Sequence, residues 1–340
     1  MQSWSLSRPP FLGFMSHSIA MEEEGGLSKS LAMIACMSMA LLYVAILYAP
    51  TLVLRLPPPS SLNNYMVRRF ICAIVSSILS LFVSALILPV RTREAAYVFT
   101  AYGLRADHIW QAATIPLFLT SLMYAGSIFL KYLLLLDSWR QYRSSGGSLT
   151  FNLCKNALLR FLDCFLTTLS NVLAWRACVV APMTEELVFR ACMIPLLLCG
   201  GLKVYSVILL CPIFFSLAHL NHFMEIYSKQ NYNIVKASQI IGLQLGYTVV
   251  FGSYASFLFI RTGHIIPPVV AHMYCNFMGL PALFSPRSGL VSVAAVMGLL
   301  AFFYLLFPAT SPDLYNDIID NCSCWHGYCS WGQEIAKSEL

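Results

Sequence analysis

Long apolar runs recur along this chain of 340 residues, and several are long enough to cross a lipid bilayer. A membrane-spanning helix needs about 20 consecutive, mostly apolar residues. The runs near residues 31–54, 69–89 and 110–136 each meet that length. Charged residues make up only 11% of the chain, whereas a soluble domain carries roughly 25%. We therefore interpret the sequence as that of a polytopic membrane protein.

The remaining apolar segments lie in the second half of the chain, and none shows the alternation that is typical of strands. The predicted fold is all-α, with about eight transmembrane or membrane-embedded helices around an intramembrane cavity. We expect a polar N-terminal segment over 1–26, a membrane-embedded domain over 27–308 and a polar C-terminal tail over 309–340. The later apolar segments fall near residues 156–174, 176–198, 204–223, 238–260, 264–284 and 290–307.

The formal net charge of +6 is scattered through short loops and forms no long basic run. A nucleic-acid partner is therefore not expected. The arginines are better interpreted as anchors at the lipid headgroups, because such residues flank membrane helices. The lipid bilayer is the partner that the composition predicts.

The segment from Arg176 to Arg190 differs from the other apolar segments because it carries two guanidiniums and two adjacent carboxylates. Ionisable groups at membrane depth are costly and usually functional. Pro182 suits the first turn of a helix, and a proline disfavours the helical conformation for the residue before it, here Ala181. We therefore expect a new helical segment to begin near Pro182.

On such a helix Glu186 and Arg190 are four residues apart and share a face, with the acid in the favourable N-terminal place. Glu185 points about 100° away, because a helix turns once every 3.6 residues. Arg190 can then hold Glu186 while Glu185 stays free. A free, oriented carboxylate beside a cavity of low dielectric constant is a candidate general base.

Two further apolar segments carry histidines. His219 closes one of them, and His272 lies in the other, four residues before Asn276 and on the same helix face. Each histidine alone fits a hydrogen-bonded core residue, and the paired glutamates alone fit a helix start, where acids are favoured by the dipole. Together, Glu185, His219, His272 and Asn276 indicate one site where three helices converge.

Two chemistries fit this set of residues, and spacing alone does not separate them. In the first, a carboxylate takes a proton from water, a histidine holds that water, and an amide and a second histidine donate to the developing oxyanion. In the second, Glu185, His219 and His272 bind zinc. The serine-hydrolase motif Gly-x-Ser-x-Gly and the metalloprotease motif His-Glu-x-x-His are both absent.

At these residues the sequence resembles the type II CAAX prenyl endopeptidases (Ras-converting enzymes), part of the glutamate-type intramembrane proteases. The family pattern is Glu-Glu-x-x-x-Arg, then Phe-x-x-x-His, then His-x-x-x-Asn. All three motifs are present in that order, within a resemblance that covers about residues 176–284. They read Glu185-Glu186-Leu187-Val188-Phe189-Arg190, Phe215-Ser216-Leu217-Ala218-His219 and His272-Met273-Tyr274-Cys275-Asn276.

The resemblance implies a multi-pass enzyme of the endoplasmic reticulum membrane that removes the last three residues from farnesylated or geranylgeranylated CAAX proteins, such as small GTPases. Glu185 would activate the water, His219 would position it, and His272 with Asn276 would line the oxyanion site. Glu186 and Arg190 would be the supporting pair. The family is viewed as metal-independent, so no cofactor or metal is expected.

Two alternatives stay open at this point. One is a zinc-dependent membrane protease with the same substrates. The other is a non-enzymatic membrane scaffold or transporter that keeps the motifs for structural reasons. His222 lies outside the three motifs, and both a structural role and a role beside the site remain open for it.

Overall fold

The computed structural model of the protein describes residues 27–88, 95–144, 170–282 and 289–315. Within these ranges all regular structure is helical, as the all-α prediction requires. The α-helices are α1 (Lys29–Leu52), α2 (Leu62–Ile87), α3 (Ala95–Ala101), α4 (Ile109–Met123), α5 (Ala125–Ser144), α6 (Val172–Trp175), α7 (Ala181–Glu186), α8 (Met193–Cys199), α9 (Val204–Ala218), α10 (Phe223–Lys229), α11 (Ile234–Thr262), α12 (Ile266–Met278) and α13 (Gly289–Leu306). Short 3₁₀ turns cover His219–His222, Pro308–Thr310 and Pro312–Leu314.

Four of the described helices, α1, α2, α11 and α13, are long and apolar enough to cross a membrane, and the bent pair of α4 and α5 makes a fifth candidate. Large apolar side chains cover the outer faces of these helices, as expected for contact with lipid. The chain is therefore a multi-pass, all-α membrane protein. The count of about eight transmembrane or membrane-embedded helices stays a prediction.

The sequence predicted one continuous span over residues 110–136. This prediction is wrong, because helices α4 and α5 meet at an angle of 76°. Tyr124 lies at the break, is buried, and donates from its hydroxyl to the carbonyl of Gly279 at 2.8 Å. Gly298 of α13 packs so tightly here that a Cβ atom would lie 2.3 Å from the carbonyl oxygen of Leu122. Apolar composition alone does not encode a bend that depends on these partners.

Residues 172–199 form the centre of the molecule, and we call them the central stretch. They are helical throughout, with two π-helical segments, Arg176–Val180 and Leu187–Cys192, between the α-helical pieces α6, α7 and α8. An α-helical piece begins at Ala181, close to the start expected near Pro182. The expectation that Ala181 itself leaves the helical conformation is wrong, since its φ and ψ are −63° and −52°. The wider π-helical turn before Pro182 accommodates a residue that lacks an N–H group.

The largest core surrounds the C-terminal half of the central stretch. Helices α1, α2 and α9 pack against it, and α11, which packs along α9, also contacts it. The fully buried side chains from the stretch include Phe189, Met193, Ile194 and Leu196, and also the cation of Arg190. An arginine in such a place needs partners, because a buried charge is costly unless it is paired.

Several expectations fall wholly or partly outside the described residues. They concern the polar segment 1–26, most of the apolar segment 156–174, most of the tail 309–340, and the side chain of His222. Residues 309–315 are described, and two of their side chains are packed into the protein. Thr310 and Tyr315 are fully buried, and the Tyr315 hydroxyl donates to the carbonyl of Ala309 at 2.6 Å.

Candidate active site

Two adjacent carboxylates on α7 have different environments. The side chain of Glu185 is 17% exposed and faces a cavity, whereas that of Glu186 is completely buried. Successive residues on a helix point about 100° apart, so helix α7 places Glu186 in the core and its neighbour Glu185 at the cavity wall. The structure thus separates the two carboxylates into one that is enclosed and one that is accessible.

Arg190 holds the enclosed carboxylate. Its Nη1 donates to Oε1 of Glu186 at 3.2 Å, and its Nε lies 3.1 Å from Oε2, close enough for an ion pair but not aligned as a hydrogen bond. Nη2 donates to the carbonyl of Gly252 at 3.4 Å, and the guanidinium lies 4.8 Å from the ring centroid of Phe215. The charge of Glu186 is therefore compensated inside the core, as the spacing of the two residues suggested.

Gly252 makes room for this arrangement. A Cβ atom at this position would lie 3.0 Å from Nη2 of Arg190 and 2.9 Å from Cβ of Pro212. A side chain here would push the guanidinium away from Glu186. This role of Gly252 could not be predicted from the sequence, because the close approach joins α11 to the central stretch and depends on their packing.

His272 connects the two glutamates. Its Nδ1 lies 2.7 Å from Oε1 of Glu186, and its Nε2 lies 3.8 Å from Oε2 of Glu185. Because an ionised carboxylate only accepts, Nδ1 must carry a proton and donate it to Glu186. This fixes the ring with Nε2 directed towards Glu185. A chain of contacts therefore runs from Arg190 through Glu186 and His272 to the accessible acid.

His219 lies at the start of the 3₁₀ turn that follows α9. Its Nδ1 lies 2.9 Å from the carbonyl oxygen of Phe215, and a carbonyl only accepts, so Nδ1 carries the proton in the neutral ring. Nε2 is then a hydrogen-bond acceptor. The Phe215 ring contacts both histidines edge to face, with centroid distances of 4.8 Å to His219 and 6.2 Å to His272.

Asn276 lies one helical turn after His272 on α12. Its Nδ2 donates to the carbonyl of Ala177 at 2.7 Å, which joins α12 to the first π-helical segment. The amide nitrogen has two hydrogens, so one remains to donate into the cavity. Because the carbonyl of Ala177 can only accept, the nitrogen end of the Asn276 amide must point towards it.

The four residues proposed from the sequence line a single cavity of about 570 Å³. The structure brings Glu185, His219, His272 and Asn276 to its wall from α7, the 3₁₀ turn and α12, while Glu186 and Arg190 lie buried behind the wall. The same cavity is also lined by Leu173, Arg176, Ala177, Ala181, Phe215, Gln244, Tyr247, Thr248, Phe251 and Cys275.

Two smaller recesses adjoin this cavity. One, of about 310 Å³, lies between α11 and α12, has a mainly apolar wall, and shares Gln244, Tyr247, Cys275 and Asn276 with the main cavity. The other, of about 70 Å³, lies on the opposite side of Glu185 against α1 and α2. The accessible carboxylate of Glu185 therefore lines both the main cavity and the smaller recess, while the apolar recess adjoins the main cavity at Asn276.

Sequence reasoning missed the face that α11 contributes to the site. Gln244, Tyr247, Thr248 and Phe251 line the main cavity, and the Phe251 ring lies 4.8 Å from that of His272. Their spacing of three and four residues puts them on one side of a helix. This periodicity was visible in the sequence, but without a charged group it looked like ordinary core packing.

The described residues contain no group of three or more histidine, cysteine, aspartate or glutamate side chains arranged to hold a metal ion. Among the three zinc ligands considered from the sequence, Nε2 of His272 lies 3.8 Å from Oε2 of Glu185. Two ligands of one tetrahedral zinc ion at about 2.0–2.2 Å lie roughly 3.3–3.6 Å apart, so this single contact does not separate the two chemistries.

Comparison with known proteins agrees with the geometry. The family model described as type II CAAX prenyl endopeptidase Rce1-like matches residues 167–278, the part that carries the three motifs. CAAX prenyl protease 2 of Arabidopsis thaliana is 53% identical over 305 residues, which cover 90% of this chain and 97% of that protein. CAAX prenyl protease 2 of Homo sapiens is 32% identical over 317 residues, covering 86% and 87%. No solved structure matches the chain.

Proposed function

The chain belongs to the type II CAAX prenyl endopeptidase family, and from this membership we propose that it releases the C-terminal tripeptide of prenylated CAAX proteins with a water molecule activated by Glu185. Proteolysis of prenylated CAAX substrates follows from the family. The assignment of roles to individual residues is our proposal. The observation that supports it is a single cavity in which an accessible carboxylate, two oriented imidazoles and an amide face one another.

In this proposal Glu185 is the general base. It accepts one proton of the water, and the oxygen of that water attacks the carbonyl carbon of the prenylated cysteine. His219 positions the water, because the neutral ring with its proton on Nδ1 offers Nε2 as an acceptor for the second water hydrogen. The enclosed partner Glu186 does not compete for the water, since its side chain is fully buried, with Oε1 bonded to Arg190 and His272 and Oε2 in ion-pair contact with Nε of Arg190.

The developing oxyanion is stabilised by Asn276 and His272. Asn276 has one amide hydrogen left after its bond to Ala177. His272 donates from Nε2 only as the imidazolium, because its Nδ1 proton is already given to Glu186. Donors aimed at the place where charge develops are usually the largest single term in such catalysis. The proposal thus assigns a positively charged state to His272 during attack.

Collapse of the tetrahedral intermediate breaks the C–N bond. The proton that Glu185 took from water passes to the leaving amine, which departs as the N-terminus of the tripeptide. The prenylcysteine keeps the water oxygen and its second hydrogen as a carboxylic acid, which ionises by giving that proton to the departing amine, so that the tripeptide leaves with an ammonium N-terminus. Every atom is accounted for without a covalent enzyme intermediate, and Glu185 returns to its ionised state.

The apolar recess between α11 and α12 is the proposed site of the prenyl chain. Its wall includes Ile240, Leu243 and Leu280, and it adjoins the main cavity at Tyr247 and Asn276. A lipid-soluble group can reach such a recess sideways from the bilayer. Location in the endoplasmic reticulum and the use of small GTPases as substrates are further parts of the proposal, which the family resemblance supports.

The decisive experiment measures tripeptide release from a farnesylated peptide by purified protein in liposomes, beside the unprenylated peptide. Glu185→Gln should lower kcat by about 10²–10⁴-fold, the usual contribution of a general base, and His219→Ala should have a comparable effect. Thermal unfolding in detergent checks that both variants remain folded. Asp137→Asn is a matched control, because that carboxylate is 72% exposed and far along the chain from the site.

Full activity of either variant would refute the water-activation mechanism. Chelators should leave the wild-type rate unchanged. If zinc co-purified in stoichiometric amount, and activity were lost on its removal and restored on its return, the metalloprotease alternative would replace ours. Absence of cleavage together with intact transport or partner binding would support the scaffold or transporter instead.

A further inference from the structure

The small recess of about 70 Å³ beside Glu185 contains two guanidiniums. Arg176 of the first π-helical segment lines both this recess and the main cavity, and Arg69 of α2 lines the recess from the other side. Tyr43 of α1 also lines the recess. The mechanism above uses none of these three side chains.

The charges around this recess do not balance. Glu186 and Arg190 cancel each other in the core. Of the described residues that line the recess, Arg69 and Arg176 carry two positive charges and Glu185 carries one negative charge, which leaves one positive charge over. A cleft with an excess of one sign and walls of low dielectric constant attracts the opposite sign. Such a recess is suited to an anion.

The two guanidiniums have donors to spare. Arg69 gives Nη1 to the hydroxyl of Tyr65 at 3.0 Å and lies over that ring, yet a guanidinium has five N–H groups. Within the described ranges, the side chain of Arg176 makes no ion pair or hydrogen bond, although Glu185 lines the same cavity. An arginine in a membrane protein that lacks a protein partner at a cavity wall is placed to bind a ligand.

We propose that Arg176, assisted by Arg69, binds the free α-carboxylate at the end of the substrate's CAAX tail. This inference rests on the proposed function, because it assumes that the attacked carbonyl lies at Glu185. Arginine suits the role, since its planar fork matches the two oxygens of a carboxylate. A recess of this size takes a carboxylate and a few waters rather than a prenyl chain.

The positions of Arg176 and Glu185 suit a short tail. Both residues line the main cavity and the small recess, and they lie on one helical stretch with a π-helical segment at its start. Three extended residues reach about 10 Å. With the attacked carbonyl at Glu185, a carboxylate three residues further on therefore comes within reach of the arginine side chain.

The test compares two farnesylated peptides that differ only at the C-terminus, one with a free carboxylate and one with a carboxamide. The wild type should cleave the carboxylate peptide with a kcat/KM roughly 10- to 100-fold higher, mainly through KM, the size expected for charged hydrogen bonds. Arg176→Gln should bring this ratio close to one, and Arg176→Lys should recover part of it as a point charge. Arg69→Gln should reduce the ratio less.

Arg68→Gln is the matched control, because Arg68 neighbours Arg69 but donates to the carbonyl of Pro57 and lines none of the three spaces. It should leave both the rate and the ratio unchanged. A peptide lengthened by one residue after the normal end should also lose the advantage of its carboxylate in the wild type.

A wild-type ratio near one would overturn the carboxylate site, and so would an Arg176→Gln variant that slows both peptides equally and keeps the ratio. If that variant does not fold, the wild-type ratio and Arg69→Gln still decide the question. The outcome is distinct from a failure of the proposed function, which would show as activity that persists in Glu185→Gln with either peptide.

Discussion

The central stretch and α13 are both apolar helical segments, yet their structures have little in common. α13 is an uninterrupted α-helix of 18 residues that buries only one stripe, formed by Val291, Ala295, Gly298 and Phe302. The central stretch changes between α- and π-helical geometry four times over residues 172–199, and its second half is almost entirely buried. One segment contacts lipid, while the other carries the charged groups of the site.

The irregular backbone of the central stretch is held by side chains from other helices. Five of its carbonyl oxygens accept such bonds, and in the low-dielectric interior an unsatisfied carbonyl would be costly. The bonds run from Asn276 to Ala177, from Ser77 to Thr184, from Cys211 to Phe189, from Ser84 to Cys192 and from Cys36 to Met193. Three of these carbonyls, those of Ala177, Phe189 and Cys192, lie in the π-helical segments, so the surrounding helices supply donors to the irregular backbone.

The comparison shows how this fold obtains an accessible acid inside a membrane domain. A regular helix satisfies its own backbone and needs only a packing stripe. A helix that must aim Glu185 at a cavity and Glu186 at the core departs from regular geometry, and π-helical segments often mark functional sites. We therefore expect polar changes to matter most in the central stretch and steric changes to matter most in α13.

The largest effect is expected for Arg190→Met, which removes the buried partner of Glu186. Breaking a buried ion pair from one side costs about 3–5 kcal/mol, because the remaining charge stays buried and unpaired. Thermal unfolding in detergent should show this loss, and peptide cleavage should be abolished. Arg140→Met is the control, since its ion pair with Asp137 is about three-quarters exposed and should contribute little.

A second variant sharpens this prediction. Glu186→Gln combined with Arg190→Met removes both charges, so it should recover part of the lost stability while activity stays absent. If the double variant were as unstable as the single one, the cost would come from packing around the guanidinium rather than from the unpaired carboxylate. Equal melting of Arg190→Met and wild type would contradict the role of the pair altogether.

The next effect is expected in α13, where Gly298→Ala tests the steric side of the comparison. The new Cβ atom would lie 2.3 Å from the carbonyl oxygen of Leu122 and 2.4 Å from Cβ of Ala125, at the bend between α4 and α5. Overpacking of this kind costs about 1–3 kcal/mol. Gly246→Ala is the control, because nothing lies within 4 Å of its Cβ position.

The two glycine variants should shift the melting temperature in opposite directions. Alanine is favoured over glycine in a helix by roughly 0.5–1 kcal/mol, so Gly246→Ala should be neutral or slightly stabilising. A neutral Gly298→Ala would show that the bend adapts easily, and α13 would then be no more sensitive to packing than an ordinary lipid-facing helix.

Local sequence rules predicted the parts of the site that lie on one helix. The four-residue spacing gave the contact of Glu186 with Arg190 and the shared face of His272 and Asn276. The different directions of the Glu185 and Glu186 side chains followed from the rotation of about 100° per residue along a helix. These are properties of a helix alone, so they hold once the segment is known to be helical.

The parts that join different helices were not predictable in this way. The contact of His272 with Glu186 links residues 86 positions apart, and nothing in either local pattern chooses Glu186 over Glu185 as the partner. The bend at Tyr124 and the helical conformation of Ala181 were missed for the same reason, since both depend on packing against neighbouring helices. The face of α11 was missed because an uncharged cavity wall looks like core.

The smallest effects are expected for the donors around the central stretch. Ser84→Ala removes a hydroxyl that donates to the carbonyl of Cys192 at 3.3 Å, and Ser77→Ala removes one shared between the carbonyl of Ala73 in its own helix, at 2.9 Å, and that of Thr184, at 3.3 Å. Hydrogen bonds between membrane helices contribute about 0.6 kcal/mol on average and at most about 1.7, so each variant should lose about that much in thermal unfolding. Ser253→Ala is the control, because that hydroxyl donates only within its own helix, to Val249. If all three variants melted alike, the π-helical backbone would not depend on donors from its neighbours, and the contrast with α13 would rest on burial alone.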